Sequence, residues 1–193
     1  TFLLTGPSGC GKTTLARTIA AHLECDPANI LEADAATNTG IDSMRAITDM
    51  LRYSTFGARP NRMIILDECH ALSKSAWQAL LKSIEEPPPN VFFAFCTTDA
   101  AKVPDTIVTR CSTYTLKSVK VSDLQDLLSY VCEEEQLEVP DKIIDLVARA
   151  ADGSPRKALV MLSMVSGIQD VDKAARVLET PLEQAEVIDL CRM

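Results

Sequence analysis

The sequence predicts an α/β fold, a five-stranded parallel P-loop sheet with helices on both faces, followed by a small all-helical domain. Three observations predict it. Short apolar runs alternate with segments of helical spacing over the first 118 residues, and those runs are apolar at consecutive positions, as in strands covered on both faces. A glycine-rich turn joins the first run to the first helix. After about Val119 the strand-like runs stop and only amphipathic spacing continues.

Residues 1–5 (TFLLT) form a strand that ends at Gly6 and Pro7, and residues 12–24 carry Leu15, Ile19 and Leu23 on one helical face. Residues 30–35 are the second strand, after which Ile41, Met44, Ile47 and Leu51 recur at helical spacing. Residues 62–68 (RMIILDE) are the third strand. Ser73 caps a helix with Trp77, Leu80, Leu81 and Ile84 on one side, which stops at Pro87, Pro88 and Pro89. Residues 91–98 (VFFAFCTT) make the fourth strand, a helix initiated by Pro104 runs to Thr109, and residues 113–116 make a short fifth strand. Helices are expected over 122–136, 141–151, 154–168 and 171–178, punctuated by Pro140, Gly153 and Gly167, with a last one starting at Pro181. The expected domains are 1–118, 119–179 and the start of a third at 180–193.

Of the 193 residues, 47% are hydrophobic and 24% charged, a mix that excludes wholesale disorder. The longest apolar run, residues 91–96, is too short to span a membrane, and no basic segment followed by an apolar one marks a secretory signal. The chain opens without Met, directly in a strand, as expected of an internal fragment. Its net charge of −8 is uneven: residues 1–115 carry 10 basic and 12 acidic groups, residues 116–193 carry 9 and 15. A free-standing, non-specific nucleic-acid binder needs a basic surface, so any such contact is expected from local groups within an assembly. The seven cysteines (10, 25, 69, 96, 111, 132 and 191) form no CxxC pair and are odd in number. That supports neither zinc nor a disulfide framework and fits buried thiols in a reducing cytoplasm.

Gly6, Pro7, Ser8, Gly9, Cys10, Gly11, Lys12 and Thr13 fit G-x-x-x-x-G-K-[ST], between a strand and a helix as that pattern requires. Glycines let successive backbone N–H groups turn inward around phosphate oxygens, and the helix aims its positive end at the same anion. Lys12 is expected at the β- and γ-phosphates of ATP, Thr13 on Mg²⁺, and Thr14 in the same phosphate-binding turn. Downstream, four apolar residues (63–66) lead to Asp67 and Glu68 at the end of a strand. Asp67 is expected to hold Mg²⁺, largely through water, and Glu68 to act as general base. Neighbouring side chains on a strand point to opposite faces, so both serve one site only where the chain turns.

Three further positions are ambiguous by themselves. Thr98 closes the fourth strand, where its hydroxyl either touches a γ-phosphate or simply ends the strand. Arg110, in Thr109-Arg110-Cys111, reads alone as a surface arginine. Arg156 sits in the first turn of a helix, where the dipole disfavours a cation, which points to an anionic partner or to a solvated side chain.

Taken in order, the phosphate loop, LDECH, EEPPPNVFFAFCTTD, VPDTIVTRC and GSPRKAL resemble the AAA+ clamp-loader ATPases over essentially the whole chain. The likeness is greatest to the bacterial DNA polymerase III gamma/tau family, with replication factor C small subunits more distant. The resemblance implies that Thr98 is the sensor-1 residue, Arg110 an arginine finger acting in trans on a neighbouring subunit, and Arg156 the sensor-2 arginine. It makes residues 119–179 a helical lid and 180–193 the start of a collar. The sequence departs from the family in having Thr109 where the motif is Ser-Arg-Cys. Only Cys25 stands where the family's four-cysteine zinc module begins, as in a phage or divergent version, and the segment that in the family precedes the first strand and helps hold the adenine is also missing.

The resemblance further implies a replication ATPase whose partners are other loader subunits, a sliding clamp and primer–template DNA bound without sequence specificity, with no membrane. Helices starting near Thr39, Gly40 and Ile41 and near Ser73, Lys74 and Ser75 would face that DNA, although Lys74 reads equally as a solvated side chain. Two alternatives stand beside this: another AAA+ remodeller such as a branch-migration motor, and a nucleotide-insensitive structural subunit, which intact Lys12, Thr13, Asp67 and Glu68 argue against.

Overall fold

The computed structural model describes residues 1–37, 40–51, 53, 55 and 60–179. The expected collar at 180–193, with its helix and Cys191, lies outside the described residues, as does Thr39. The chain divides into two compact units, Thr1–Lys117 and the part from Ser118 onward.

In the first unit β1 (Phe2–Thr5), β2 (Ile30–Asp34), β3 (Arg62–Asp67), β4 (Val91–Thr97) and β5 (Ser112–Thr115) form one sheet in the order β2-β3-β4-β1-β5. Every pairing is parallel, with Leu4 opposite Cys96 and Thr5 opposite Thr97. Alternation along the strands sorts the core into two layers. Leu3, Ile64, Leu66, Phe93 and Phe95 face α2 (Ile41–Met50) and α3 (Lys74–Glu85), packing on Met44, Ile47, Trp77, Leu80 and Ile84. Leu4, Met63, Ile65, Ala94 and Cys96 face Ala16 and Ala20 of α1 (Lys12–His22). Each large side chain buried here stabilises the fold by roughly 1.5–3 kcal/mol, which is why β1, β3 and β4 read as unbroken apolar runs. The sheet's edges differ from the expectation of two covered faces: β5 (STYT) is exposed throughout and β2 is only half-buried, because a strand at the margin has a neighbour on one side only.

Four strands end one residue earlier than the sequence suggests, β2 at Asp34, β3 at Asp67, β4 at Thr97 and β5 at Thr115. Short 3₁₀ turns at Pro27–Asn29, Cys69–Ala71 and Ala100–Lys102 carry no periodic signal and were not expected. The helix initiated by Pro104 is a single turn, α4 (Asp105–Val108).

The second unit packs α5 (Val121–Glu134), α6 (Asp141–Ala150), α7 (Pro155–Val165) and α8 (Val171–Glu179) around Leu124, Leu128, Ile143, Val147, Ala158, Leu162 and Ala174. Ser154 caps α7 by accepting the Lys157 N–H at 3.3 Å. Gly153, at φ 74°, has no room for a side chain, since a Cβ would stand 2.6 Å from that of Ser118. No helix of the described residues is long and apolar enough to cross a membrane.

Candidate nucleotide-binding site

The C-terminal ends of β1, β3 and β4 lie side by side, the edge at which open parallel sheets receive ligands. The loop after β1 turns on Gly6, Gly9 and Gly11, all at positive φ. At Gly6 glycine is required sterically as well, because a Cβ would meet the Leu116 carbonyl oxygen at 2.5 Å. Gly11 caps α1 in the left-handed conformation, with no side-chain cap and no acidic residue in the first turn, so the helix's positive end is uncompensated by its own residues. Lys12, only 5% exposed, folds back into the loop and donates from Nζ to the carbonyls of Gly6 (3.0 Å) and Pro7 (2.9 Å). Among the described residues no carboxylate pairs with it. A buried ammonium held by neutral carbonyls alone is a receptor for an anion. Pro7, Ser8 and Thr14 are exposed, while Cys10 is buried beneath the loop.

Thr13, at the start of α1, donates its hydroxyl to Asp67 Oδ2 at 2.7 Å, which joins the end of β3 to the loop. Asp67 Oδ1 accepts the Glu68 N–H at 2.9 Å. Glu68 itself takes a left-handed conformation (φ 47°, ψ 41°), uncommon outside glycine, and this turn brings its carboxylate to the same edge as that of Asp67. Its Oε2 accepts the Thr98 hydroxyl at 3.1 Å. Thus Lys12, Thr13, Asp67, Glu68 and Thr98 all belong to one edge of one sheet. The Thr13 hydroxyl and Asp67 carboxylate are the hard oxygen donors that Mg²⁺ takes, so the residues present fit that ion. Under the site Cys96 and Cys69 are fully buried, and burial pushes the Cys96 thiol up to about 12 and that of Cys69 higher still, so neither is a thiolate at neutral pH. Cys25 is likewise buried in the core against α1, its thiol pushed up by burial.

Arg110 is placed elsewhere. Strand β5 starts where Ser112 donates its N–H to Thr1 O (3.0 Å), and β3 starts where Arg62 donates to Asn90 O (2.8 Å), so the residues just before β4 and β5 mark the N-terminal edge. Arg110 sits there, donating from Nη1 to Thr106 O at 2.6 Å and pairing through Nη2 with Glu85 Oε1 at 2.7 Å. β1 is four residues long, which at about 3.3 Å each separates the two edges by roughly 13 Å. Arg156 is exposed in the first turn of α7, in the second unit, with no ion pair among the described residues. Lys74 is exposed in the first turn of α3, behind the Ser73 cap, and Gly40 begins α2 with no side-chain cap.

Two partners escaped the sequence reading. His70, in the LDECH run, brings Nδ1 to 3.3 Å from Glu68 Oε2 and 3.1 Å from Thr97 Oγ1. Glu85, in the EEPPP run, is the counter-ion of Arg110. His70 lay inside a motif already in view, but nothing local foretells the 3₁₀ turn that aims it. Glu85 had no signal, since its partner is 25 residues away.

The family described as DNA polymerase III, delta subunit matches residues 29–120. The tau subunit of DNA polymerase III from Bacillus subtilis is 33% identical over 83% of this chain and 32% of its own length. That of Escherichia coli is 31% identical over 94% and 34%, and the gamma subunit of Buchnera aphidicola from Acyrthosiphon pisum 34% over 83% and 50%. The chain therefore spans about a third to a half of these relatives. The E. coli alignment runs over 219 positions, longer than the chain, so that relative carries residues this one lacks. Among solved structures the Thermotoga maritima RuvB Holliday junction branch migration motor superposes with a TM-score of 0.76 over 92% of this chain and 60% of its own, at 22% identity, a likeness of fold. The chain is a relative of the gamma and tau subunits of DNA polymerase III, built on the α/β P-loop fold that RuvB shares.

Proposed function

We propose that this chain is the ATPase core of a sliding-clamp-loader subunit. ATP bound between neighbouring subunits would assemble a spiral that opens a clamp around primer–template DNA, and hydrolysis would release clamp and DNA. The observation that carries this reading is the division of labour across one sheet. Lys12, Thr13, Asp67 and Glu68 gather at the C-terminal edge, while Arg110 is held at the other, where it meets a nucleotide only if a second subunit supplies it. The relation to gamma and tau subunits supports the assembly in which that happens.

In this reading Gly6 and Pro7 turn the loop, the backbone N–H groups of residues 8–14 surround the phosphates, and Lys12 reaches the β- and γ-phosphates of ATP. Thr13 and Asp67 would hold Mg²⁺, which when bound neutralises phosphate charge. Glu68 accepts the proton of the attacking water, and Thr98, bonded to Glu68, keeps that carboxylate at the γ-phosphate side. Arg156 lends positive charge from the helical lid, residues 119–179, and Arg110 stabilises a neighbour's γ-phosphate. Residues 180–193 would open the collar that joins subunits. DNA would be met without base readout, by the N-termini of α2 and α3 and by Lys74. The protein would work in the cytoplasm.

Mixing Arg110→Ala chains, whose P-loops are intact, with Lys12→Ala chains, whose fingers are intact, tests the reading under assembly conditions. Activity above that of either variant alone is expected. A monomer with full ATPase activity that is lost on replacing Arg110 would overturn it.

A further inference from the structure

Glu68 is held by one oxygen only. Oε2 accepts the Thr98 hydroxyl at 3.1 Å and lies 3.3 Å from His70 Nδ1, whereas Oε1 takes no hydrogen bond among the described residues. His70 is itself fixed. It is the middle residue of the 3₁₀ turn Cys69–Ala71, whose Cys69 is fully buried, and its Nδ1 lies 3.1 Å from Thr97 Oγ1. Thr97 is fully buried too, and its Oγ1 already accepts the Asp99 N–H at 3.0 Å, so the hydroxyl oxygen cannot drift. Nδ1 is hydrogen-bonded to Thr97 Oγ1 and approaches Glu68 Oε2, and because a carboxylate oxygen only accepts, that approach is attractive when Nδ1 carries the hydrogen.

We propose that His70 is a positioning residue for Glu68: in the Nδ1–H form, steadied by Thr97, it holds Oε2 so that the free Oε1 faces the attacking water. The inference rests on the reading of Glu68 as general base. A glutamate has three rotatable bonds, and its basicity counts only when the accepting oxygen is within hydrogen-bond reach of the proton it takes. Thr98 alone is one tether on a carboxylate a third exposed, which leaves rotation about that bond free. The His70 contact on the same oxygen removes it. The sequence of contacts Thr97–His70–Glu68 has its root in the buried end of β4, so the orientation of the base is set by the core.

The test compares turnover under the same assembly conditions, and ATP affinity, of the parental chain with those of His70→Ala, His70→Asn and Glu68→Gln, alongside ¹⁵N spectra of the His70 ring in the parental chain and in Glu68→Ala. His70→Ala is expected to lower turnover about 10- to 100-fold, the effect of removing a group that orients a functional ligand, with ATP affinity unchanged. His70→Asn, whose amide nitrogen can stand where Nδ1 does, should recover most of the loss, and a purely packing role would not distinguish the two variants. The ring should show a protonated Nδ1 and a bare Nε2, a pattern lost in Glu68→Ala. Parental turnover in His70→Ala beside an inactive Glu68→Gln would overturn the role of His70 alone. Parental turnover in both would overturn the general-base reading with it. A ring protonated on Nε2 and bare at Nδ1 in the parental chain would overturn the inference whatever the rates.

Discussion

The two edges of the sheet in the first unit carry polar side chains of different character. At the C-terminal edge side chains bond to one another and to the loop: Thr13 to Asp67, Thr98 to Glu68, and Lys12, nearly buried, to two carbonyls. At the N-terminal edge Arg110 and Glu85 form an ion pair in which each side chain is 39% exposed. The first arrangement is preorganised, because groups restrained by burial and by each other lose little freedom when a ligand arrives. The second is exchangeable, because an exposed pair is stabilised by only about 0.2–1 kcal/mol and yields readily to a stronger anion such as a phosphate. One sheet thus holds a restrained set of polar groups at one edge and an exchangeable ion pair at the other, and about one strand's length keeps them apart.

The largest effect expected is that of Lys12→Ala, which removes the only cation buried in the loop and should abolish ATP binding, read by titration calorimetry. Measurable affinity at the parental level would break the comparison at its first edge. Next is Arg110→Ala. In an assembled loader it should cost roughly 10³–10⁵ in turnover, the range for arginine fingers, while ATP binding to the same chain stays unchanged. Glu68→Gln should keep binding and lose about 10²–10⁴ in single-turnover rate, the contribution of a general base. Glu85→Ala sharpens the contrast. It leaves Arg110 with its Thr106 bond and should shift thermal stability by about 0–1 kcal/mol, whereas Gly6→Ala, which drives a Cβ to 2.5 Å from Leu116 O, should destabilise by roughly 1–3 kcal/mol.

The smallest effect concerns the buried Cys96 thiol beneath the first edge. Burial raises Cys96 from 9.0 to about 12, so folding favours the neutral thiol. Its contribution is fully present below pH 9 and is lost as pH rises toward 12, because the unfolded chain ionises first. Cys96→Ala should flatten the decline in thermal stability over that window, and an unchanged slope would show that burial does not hold the Cys96 thiol neutral.

Much of this molecule was legible in its sequence, and the reason is locality. The phosphate loop is a run of contiguous residues whose glycines are needed for backbone conformations that the chain adopts wherever it sits, as the positive φ of Gly6, Gly9 and Gly11 bears out. The buried strands and amphipathic helices follow from periodicities of two and 3.6 residues, which depend only on order along the chain. Asp67 and Glu68 could be named because they end an apolar run, and the need for a turn between them could be stated in advance. What only the tertiary structure decided is where non-contiguous groups meet. The left-handed Glu68 and the 3₁₀ turn after it carry no periodic signal, yet they set which way a carboxylate and an imidazole point. Strand order decided that Thr97 and Thr98 lie next to the end of β3, so that one threonine steadies His70 and the other bonds to Glu68. The pairing of Arg110 with Glu85 likewise arose from packing α3 and α4 against the same core layer, through Leu80, Ile84 and Ile107. Composition and local spacing determine which groups a chain possesses and which conformations it favours. Distances of about 3 Å between residues 25 to 54 positions apart are set by how buried surfaces fit together, and no local pattern encodes that fit.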